Sequence, residues 1–165
     1  MPERRRKPHR LPREEYRGAK IVAYTSCILE REPIFSSDRP TVRFSEILIE
    51  ETNRHECELV LACFMPDHLH ALIQGQSDSA NSLDAFERFK LRSAILLHRF
   101  HGAIKWQKNC YDHIVRCDQD WRGQAKYNAL NPIRRGLVAD AFDYPYFFSS
   151  LGDSNEVLSQ IFWDS

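Results

Sequence analysis

The chain has no apolar run approaching the roughly 20 residues of a membrane-spanning helix. Its opening, MPERRRKPHRLPR, is charged and proline-rich, without the apolar segment of a secretory leader. It also has no net charge, since 23 Lys and Arg balance 23 Asp and Glu. That counts against a protein that coats polyanions without discrimination, because such binders are usually basic overall. No Cys-x-x-Cys spacing occurs among Cys27, Cys57, Cys63, Cys110 and Cys117, and their number is odd. Reduced, mostly buried thiols in a cytoplasm are expected rather than a disulfide framework. With no internal repeat and no dividing linker, the 165 residues are expected to form one domain around one core.

The charge that is present is unevenly placed. Arg4, Arg5, Arg6, Lys7, Arg10 and Arg13 face a single acid before position 14. Residues 1–15 therefore read as a basic flexible arm, either a solvated tail or one that touches phosphates. Residues 19–29 (AKIVAYTSCIL) are β-branched and aromatic, as in a strand. Residues 41–54 place Val42, Phe44, Ile47 and Leu48 at helical spacings after a Ser-Ser-Asp-Arg-Pro turn. The stretches 58–64 and 68–74 read as two strands joined by the Met65-Pro66-Asp67 turn. Residues 82–100 give the clearest helix, with Leu83, Phe86, Phe89, Leu96, Leu97 and Phe100 at three- and four-residue steps. Arg88, Arg92 and Arg99 share another stripe of it, either a solvated face or a ridge for a phosphate backbone. Residues 110–115 read as a fourth strand, and Asp118 as the cap of a helix that ends before Pro132. The segment after Tyr144 has no pattern that places it. This order is that of a ferredoxin-like βαββαβ α+β sandwich with an added C-terminal helix. Such an antiparallel sheet, with helices on one face, leaves its other face free for a site.

Within the second of the paired strands stands PDHLH. Side chains i and i+2 of a strand point the same way, so His68 and His70 project together while Leu69 and Ala71 face the core. Two neutral imidazoles on one face can hold a divalent cation, although an HxH pair alone is more often packed or simply exposed. A second constellation lies in KYNALNPIRRGL, residues 126–137, where Tyr127 and Asn131 are four apart and share one face of a helix. A tyrosine hydroxyl can attack phosphorus in a phosphodiester. Because tyrosine ordinarily ionises near pH 10, about three units above neutrality, it needs a cation or base beside it. An asparagine oxygen one turn away can complete a metal's coordination. The blander alternatives are a packed ring for Tyr127 and an N-cap role for Asn131 ahead of Pro132. Tyr111, two residues before His113 on a strand, is a rival nucleophile and otherwise a packed or base-stacking aromatic.

Four stretches, YTSCILEREPIFSSDRPTVRF (24–44), FMPDHLHALI (64–73), WQKNCYDHIVR (106–116) and YNALNPIRRGLV (127–138), resemble the single-tyrosine HUH transposases, and most closely the REP-associated tyrosine transposases of bacteria. The resemblance spans roughly residues 16–150 in the family's order and implies a catalytic domain there, followed by a tail at 151–165. It implies that His68 and His70 bind a divalent metal, Mg²⁺ or Mn²⁺, with Asn131 as third ligand and Tyr127 as nucleophile. The chain departs from relatives in following the tyrosine with Asn-Ala-Leu, where Ile-His is common.

The activity so implied is a metal-dependent single-strand DNA endonuclease and strand transferase. It would act on hairpin DNA through a 5′-phosphotyrosine intermediate, with no nucleotide cofactor. Arg88, Arg92, Arg99, Arg134 and Arg135, with the N-terminal arm, are the candidate DNA contacts. A bacterial, cytoplasmic, nucleoid-associated monomer or homodimer is expected, with no membrane partner. The alternatives are a DNA-binding module of the same fold that has lost cleavage, and a nuclease that uses water in place of Tyr127.

Overall fold

The computed structural model describes residues 10–116 and 121–163. In chain order it runs β1 (Ile21–Cys27), α1 (Asp38–Arg54), β2 (Cys57–Met65), β3 (His68–Gly75), α2 (Ser82–His101), β4 (Tyr111–Val115), α3 (Trp121–Ala129), α4 (Asn131–Arg134), β5 (Phe147–Phe148) and α5 (Ser154–Trp163). The sheet order is β4-β1-β3-β2-β5, with every pairing antiparallel. Its first four strands follow the expected ferredoxin-like arrangement, and β5 adds a short edge beside β2.

The local causes are ordinary. The interior strand β2, CELVLACFM, is buried along nearly its whole length, so a continuous apolar run replaces alternation. Asn81 caps α2 by accepting a 3.1 Å hydrogen bond from the Asp84 N–H, and Gly102, at φ 65°, ends it. At the far end of β3 the chain comes so close to Gly18 that a Cβ on Gly75 would lie 2.0 Å from the Gly18 carbonyl oxygen. Only glycine fits there.

Helices α1 and α2 lie on one face, where Phe44, Leu48, Leu83, Phe86 and Phe89 pack with Leu69, Ala71 and Ile73 of β3. These are the helices expected on one face; the opposite face, expected to be left free for a site, carries a second layer. Ala125 and Ala129 of α3 and Val157, Leu158 and Ile161 of α5 cover Leu61, Cys63, Met65 and Leu72 on the opposite face. Those sheet residues are apolar on that side too and need cover. A register shift between Leu59 and Leu61 brings Val60 into the same cluster. The tail that sequence patterning left unplaced is thus part of the core. No described helix is long and apolar enough to cross a membrane.

Candidate metal and nucleophile site

The strand register builds the site. Leu69 and Ala71 are fully buried beneath α1 and α2, so His68 and His70 emerge on the face that α3 and α5 cover in part. Beside the β2–β3 turn, the two Nε2 atoms converge to 3.1 Å with their rings edge to face.

Each imidazole is aimed by a partner on its other nitrogen. His68 Nδ1 lies 2.6 Å from Asp67 Oδ1, and His70 Nδ1 lies 2.9 Å from Thr25 Oγ1. Thr25 is the β1 residue directly opposite His70. Asp67 is in turn held by Arg31, whose Nε donates to Oδ2 at 2.8 Å. Glu30 and Arg31 both take left-handed backbone angles, φ 61° and 59°, which non-glycine residues adopt uncommonly.

These partners settle the proton positions. A carboxylate only accepts, so His68 carries its proton on Nδ1 and leaves Nε2 as a lone pair. Without a cation between the rings, His70 must then present Nε2–H to His68 and accept the Thr25 hydroxyl proton at Nδ1. With a cation, both Nε2 atoms must offer lone pairs. The His70 proton moves to Nδ1, and Thr25 accepts instead of donating. A hydroxyl can do either; a carboxylate cannot.

Burial is the main reason that both imidazoles stay neutral. It pushes His70 down to about 3, helped by His68 and then by the nearby Arg134, Arg135 and Arg31 guanidiniums. His68 is also lowered by burial, though the Asp67 hydrogen bond opposes this. Burial raises the Asp67 carboxyl, but its bonds to His68 and Arg31 outweigh that and leave it below the usual range.

The donor set fits a divalent ion. A 3.1 Å nitrogen–nitrogen distance is the edge spanned by two adjacent ligands with bonds of about 2.1 Å. Among the described residues no cluster of three His, Cys, Asp or Glu exists to complete the set. A further ligand drawn from the described residues would be a neutral oxygen, the kind that a carboxamide such as that of Asn131 offers.

Small residues let α3 lie close to the sheet, since Ala125, Asn128 and Ala129 are buried beneath it. Tyr127 points away from that contact and is 56% exposed. Helical course continues past Ala129, with Leu130 N–H bonded to the Lys126 carbonyl at 2.9 Å and Leu130 itself in αR. Leu130, not Asn131, is the cap of α4, so Asn131 is released from the capping role that Asn-Pro suggests. Its carboxamide is buried, with Oδ1 accepting from Arg134 Nη2 at 2.8 Å and Nδ2 without a partner. The Arg134 Nη2 also donates to the Tyr127 carbonyl at 2.5 Å, and its guanidinium lies 4.1 Å from the Tyr127 ring centre.

His70 and Tyr127 line one cleft of about 520 Å³ with Thr25, Tyr111, His113, Gln124 and Asn128. Beyond His68, a second groove of about 270 Å³ is lined by Arg31, Asp67, Arg135 and Leu137. Asn131 borders neither. Tyr111 stands opposite Thr25 across the β1–β4 pair and is 59% exposed, so it shares this cleft.

The remaining sequence candidates divide. Arg134 and Arg135 stand beside the site. Arg88, Arg92 and Arg99 ride on α2, on the far face of the sheet, so the expected ridge does not border the histidines. Arg92 is also committed to Glu51 at 2.6 Å and Glu50 at 2.8 Å, whereas Arg88 and Arg99 are exposed. Of the arm, Arg10 bonds Asp112 and Glu87, and Arg13 bonds Asp84 and Glu87. Arg4, Arg5, Arg6 and Lys7 lie outside the described residues, as does Asp118. Thr25, Gln124, Asn128 and Arg31 were not singled out by sequence. Thr25 needs the strand register to be found, while Asp67 adjoined the histidines in plain view.

The family model described as "Transposase IS200 like" matches residues 21–117. A Haemophilus influenzae protein described as a REP-associated tyrosine transposase is 21% identical over 145 residues, covering 81% of this chain and 82% of its own. Among solved structures, a REP-associated tyrosine transposase bound to a REP hairpin superposes with a TM-score of 0.70 at 17% identity, covering 86% of this chain and 82% of its own. At that identity the superposition establishes the fold.

Proposed function

Because the chain belongs to the IS200-like transposase family, we propose that it cuts and rejoins single-stranded DNA at Tyr127, on substrates that fold into hairpins. The observation that carries this reading is the shared cleft: Tyr127 and His70 line the same space, and His70 and His68 converge at its edge. The hairpin preference is taken from the REP hairpin held by the structural neighbour. His68, His70 and Asn131 would hold Mg²⁺ or Mn²⁺, which when bound supplies positive charge to the oxygens of the scissile phosphate.

Tyr127 Oη attacks the phosphorus. The Oη–P bond forms as the bond to the departing 3′-oxygen breaks, and the proton lost by the phenol is matched by one gained at that oxygen. The products are a 5′-phosphotyrosine and a free 3′-hydroxyl. One phosphodiester replaces another, so rejoining by a second 3′-hydroxyl needs no nucleotide cofactor. Asp67 and Thr25 hold the imidazoles in place through both steps. Arg31 and Arg135, in the groove past His68, receive the phosphate backbone, and the exposed Tyr111 offers a stacking surface to an unpaired base.

The test is incubation of a hairpin bearing a labelled single-stranded flank with the chain and Mn²⁺ or Mg²⁺, followed by denaturing electrophoresis. A covalent protein–DNA adduct that disappears with chelator is expected. Cleavage without adduct would assign the attack to water, and binding with neither would mark a DNA-binding module.

A further inference from the structure

From the contacts of one side chain, we propose that Arg134 is a positioning residue that clamps Tyr127 and Asn131 into a single unit, rather than a contact to DNA phosphate. The inference rests on the reading of Tyr127 as nucleophile. Tyr127 lines its cleft at 56% exposure, so packing fixes its ring only weakly, and the residues that α3 buries are Ala125, Asn128 and Ala129. Arg134 supplies what packing does not. Its guanidinium covers the ring at 4.1 Å, while Nη2 is shared between the Tyr127 carbonyl at 2.5 Å and Asn131 Oδ1 at 2.8 Å.

Three local features make this possible. The Tyr127 carbonyl belongs to the last turn of α3, where intrahelical donors run out and a cation is favoured by the helix dipole. Pro132 in turn donates nothing to the Asn128 carbonyl, so the ladder is interrupted at this junction. The αR course through Leu130 then brings Arg134 back over the turn that carries Tyr127. A guanidinium has five donors in a plane, so one group can stack on a ring and bond two oxygens beside it. Lysine cannot do both, and glutamine can bond but not stack as a cation.

These donors also explain the orientation of Asn131. Its Oδ1 must face Arg134, because a guanidinium only donates, and the buried Nδ2 is left without a partner. The carboxamide is thus held by one contact at the very residue assigned as third ligand. Its second oxygen lone pair stays available.

Helix capping alone would explain the carbonyl contact, so the test separates the two roles. Arg134→Gln keeps a donor for both oxygens, and Arg134→Lys keeps the charge. Adduct formation at saturating hairpin is expected to slow at least tenfold in both, toward the roughly hundredfold loss that follows a 1 Å misplacement of a reacting group. The hairpin dissociation constant is expected to move less than about threefold, below the effect of a lost charged contact. Methylguanidinium should restore part of the rate to Arg134→Ala. A Gln variant with the parental rate would reduce Arg134 to a cap, and variants that lose affinity at an unchanged rate would make it a phosphate contact. Both results overturn the clamp. A readout without DNA keeps this separate from the activity itself. The ring signals of ¹³C-labelled Tyr127 should move toward free-tyrosine positions in Arg134→Gln. Unmoved ring signals refute the clamp even if the parent forms no adduct, whereas a parent without adduct refutes the nucleophile reading and leaves the ring signals to decide the clamp.

Discussion

Replacing Thr25 by valine is the most informative single perturbation of the proposed metal site. The change is nearly isosteric and removes only the hydroxyl that lies 2.9 Å from His70 Nδ1. In the metal-free chain the loss is one half-buried hydrogen bond, on the order of 1 kcal/mol, or roughly 2–4 °C in melting temperature for a domain of this size. With a cation held between the rings, His70 must carry its proton on Nδ1, and valine leaves that N–H without an acceptor in a site that can no longer rotate to relieve it. Loss of such a partner typically weakens metal binding about 10- to 100-fold, roughly 1.4–2.7 kcal/mol. Titration of Mn²⁺ by calorimetry or electron paramagnetic resonance measures this directly, and Thr25→Ser should recover most of it. The tautomer exchange has its own signature: ¹⁵N spectra of His70 should show the proton on Nε2 without metal and on Nδ1 with a diamagnetic ion such as Mg²⁺. Undiminished affinity in Thr25→Val, or a His70 proton that stays on one nitrogen in both states, would refute the account of how the pair is aimed.

Two other consequences are open to simple measurements. Arg92→Ala should lower stability by about 1–2 kcal/mol, because Glu51 is almost fully buried and keeps Arg54 at 3.2 Å and the His55 imidazole at 3.7 Å; that is less than the usual 3–5 kcal/mol for a broken buried pair because Arg92 itself is partly exposed. A thermal melt should fall by several degrees while hairpin affinity holds, and the reverse pattern would return Arg92 to the DNA contacts. In the metal-free chain His70 should remain neutral at pH 5 by NMR titration, since burial depresses it to about 3. The unfolded chain takes up that proton near pH 6.5 and the folded chain does not, so this contribution to stability is present above about pH 6.5 and is lost as pH falls toward 3. A His70 titration near 6.5 would contradict the buried environment.

How far the sequence revealed this site follows from the range of each interaction. The βαββαβ order and the His68/His70 pair were legible because strand alternation and the β2–β3 turn are local patterns. Asp67 was equally local, one residue from His68. Thr25 was not, since its partner His70 is 45 positions away and only the β1–β3 register brings them opposite. The same holds for Arg92, whose acidic partners on α1 turn a stripe of apparent free charge into an inter-helix bridge. The second layer is hard to see in sequence because its elements are short: Val157, Leu158 and Ile161 sit in a helix of 10 residues, and β5 is only Phe147–Phe148. Arg134 was read as a charge beside the nucleophile helix. Its spacing of seven and three residues from Tyr127 and Asn131 carries the clamp, but stacking is a matter of rotamer, which spacing does not specify.

The central claim is that Tyr127 becomes covalently joined to DNA. Digestion of the trapped adduct, followed by mass spectrometry of the nucleotide-bearing peptide, tests it most directly, because Tyr111 lines the same cleft and offers a competing hydroxyl. The account predicts a 5′-phosphate linked to Tyr127, with the adduct abolished by Tyr127→Phe and retained by Tyr111→Phe. A nucleotide found on Tyr111, or an adduct that survives Tyr127→Phe, would contradict it.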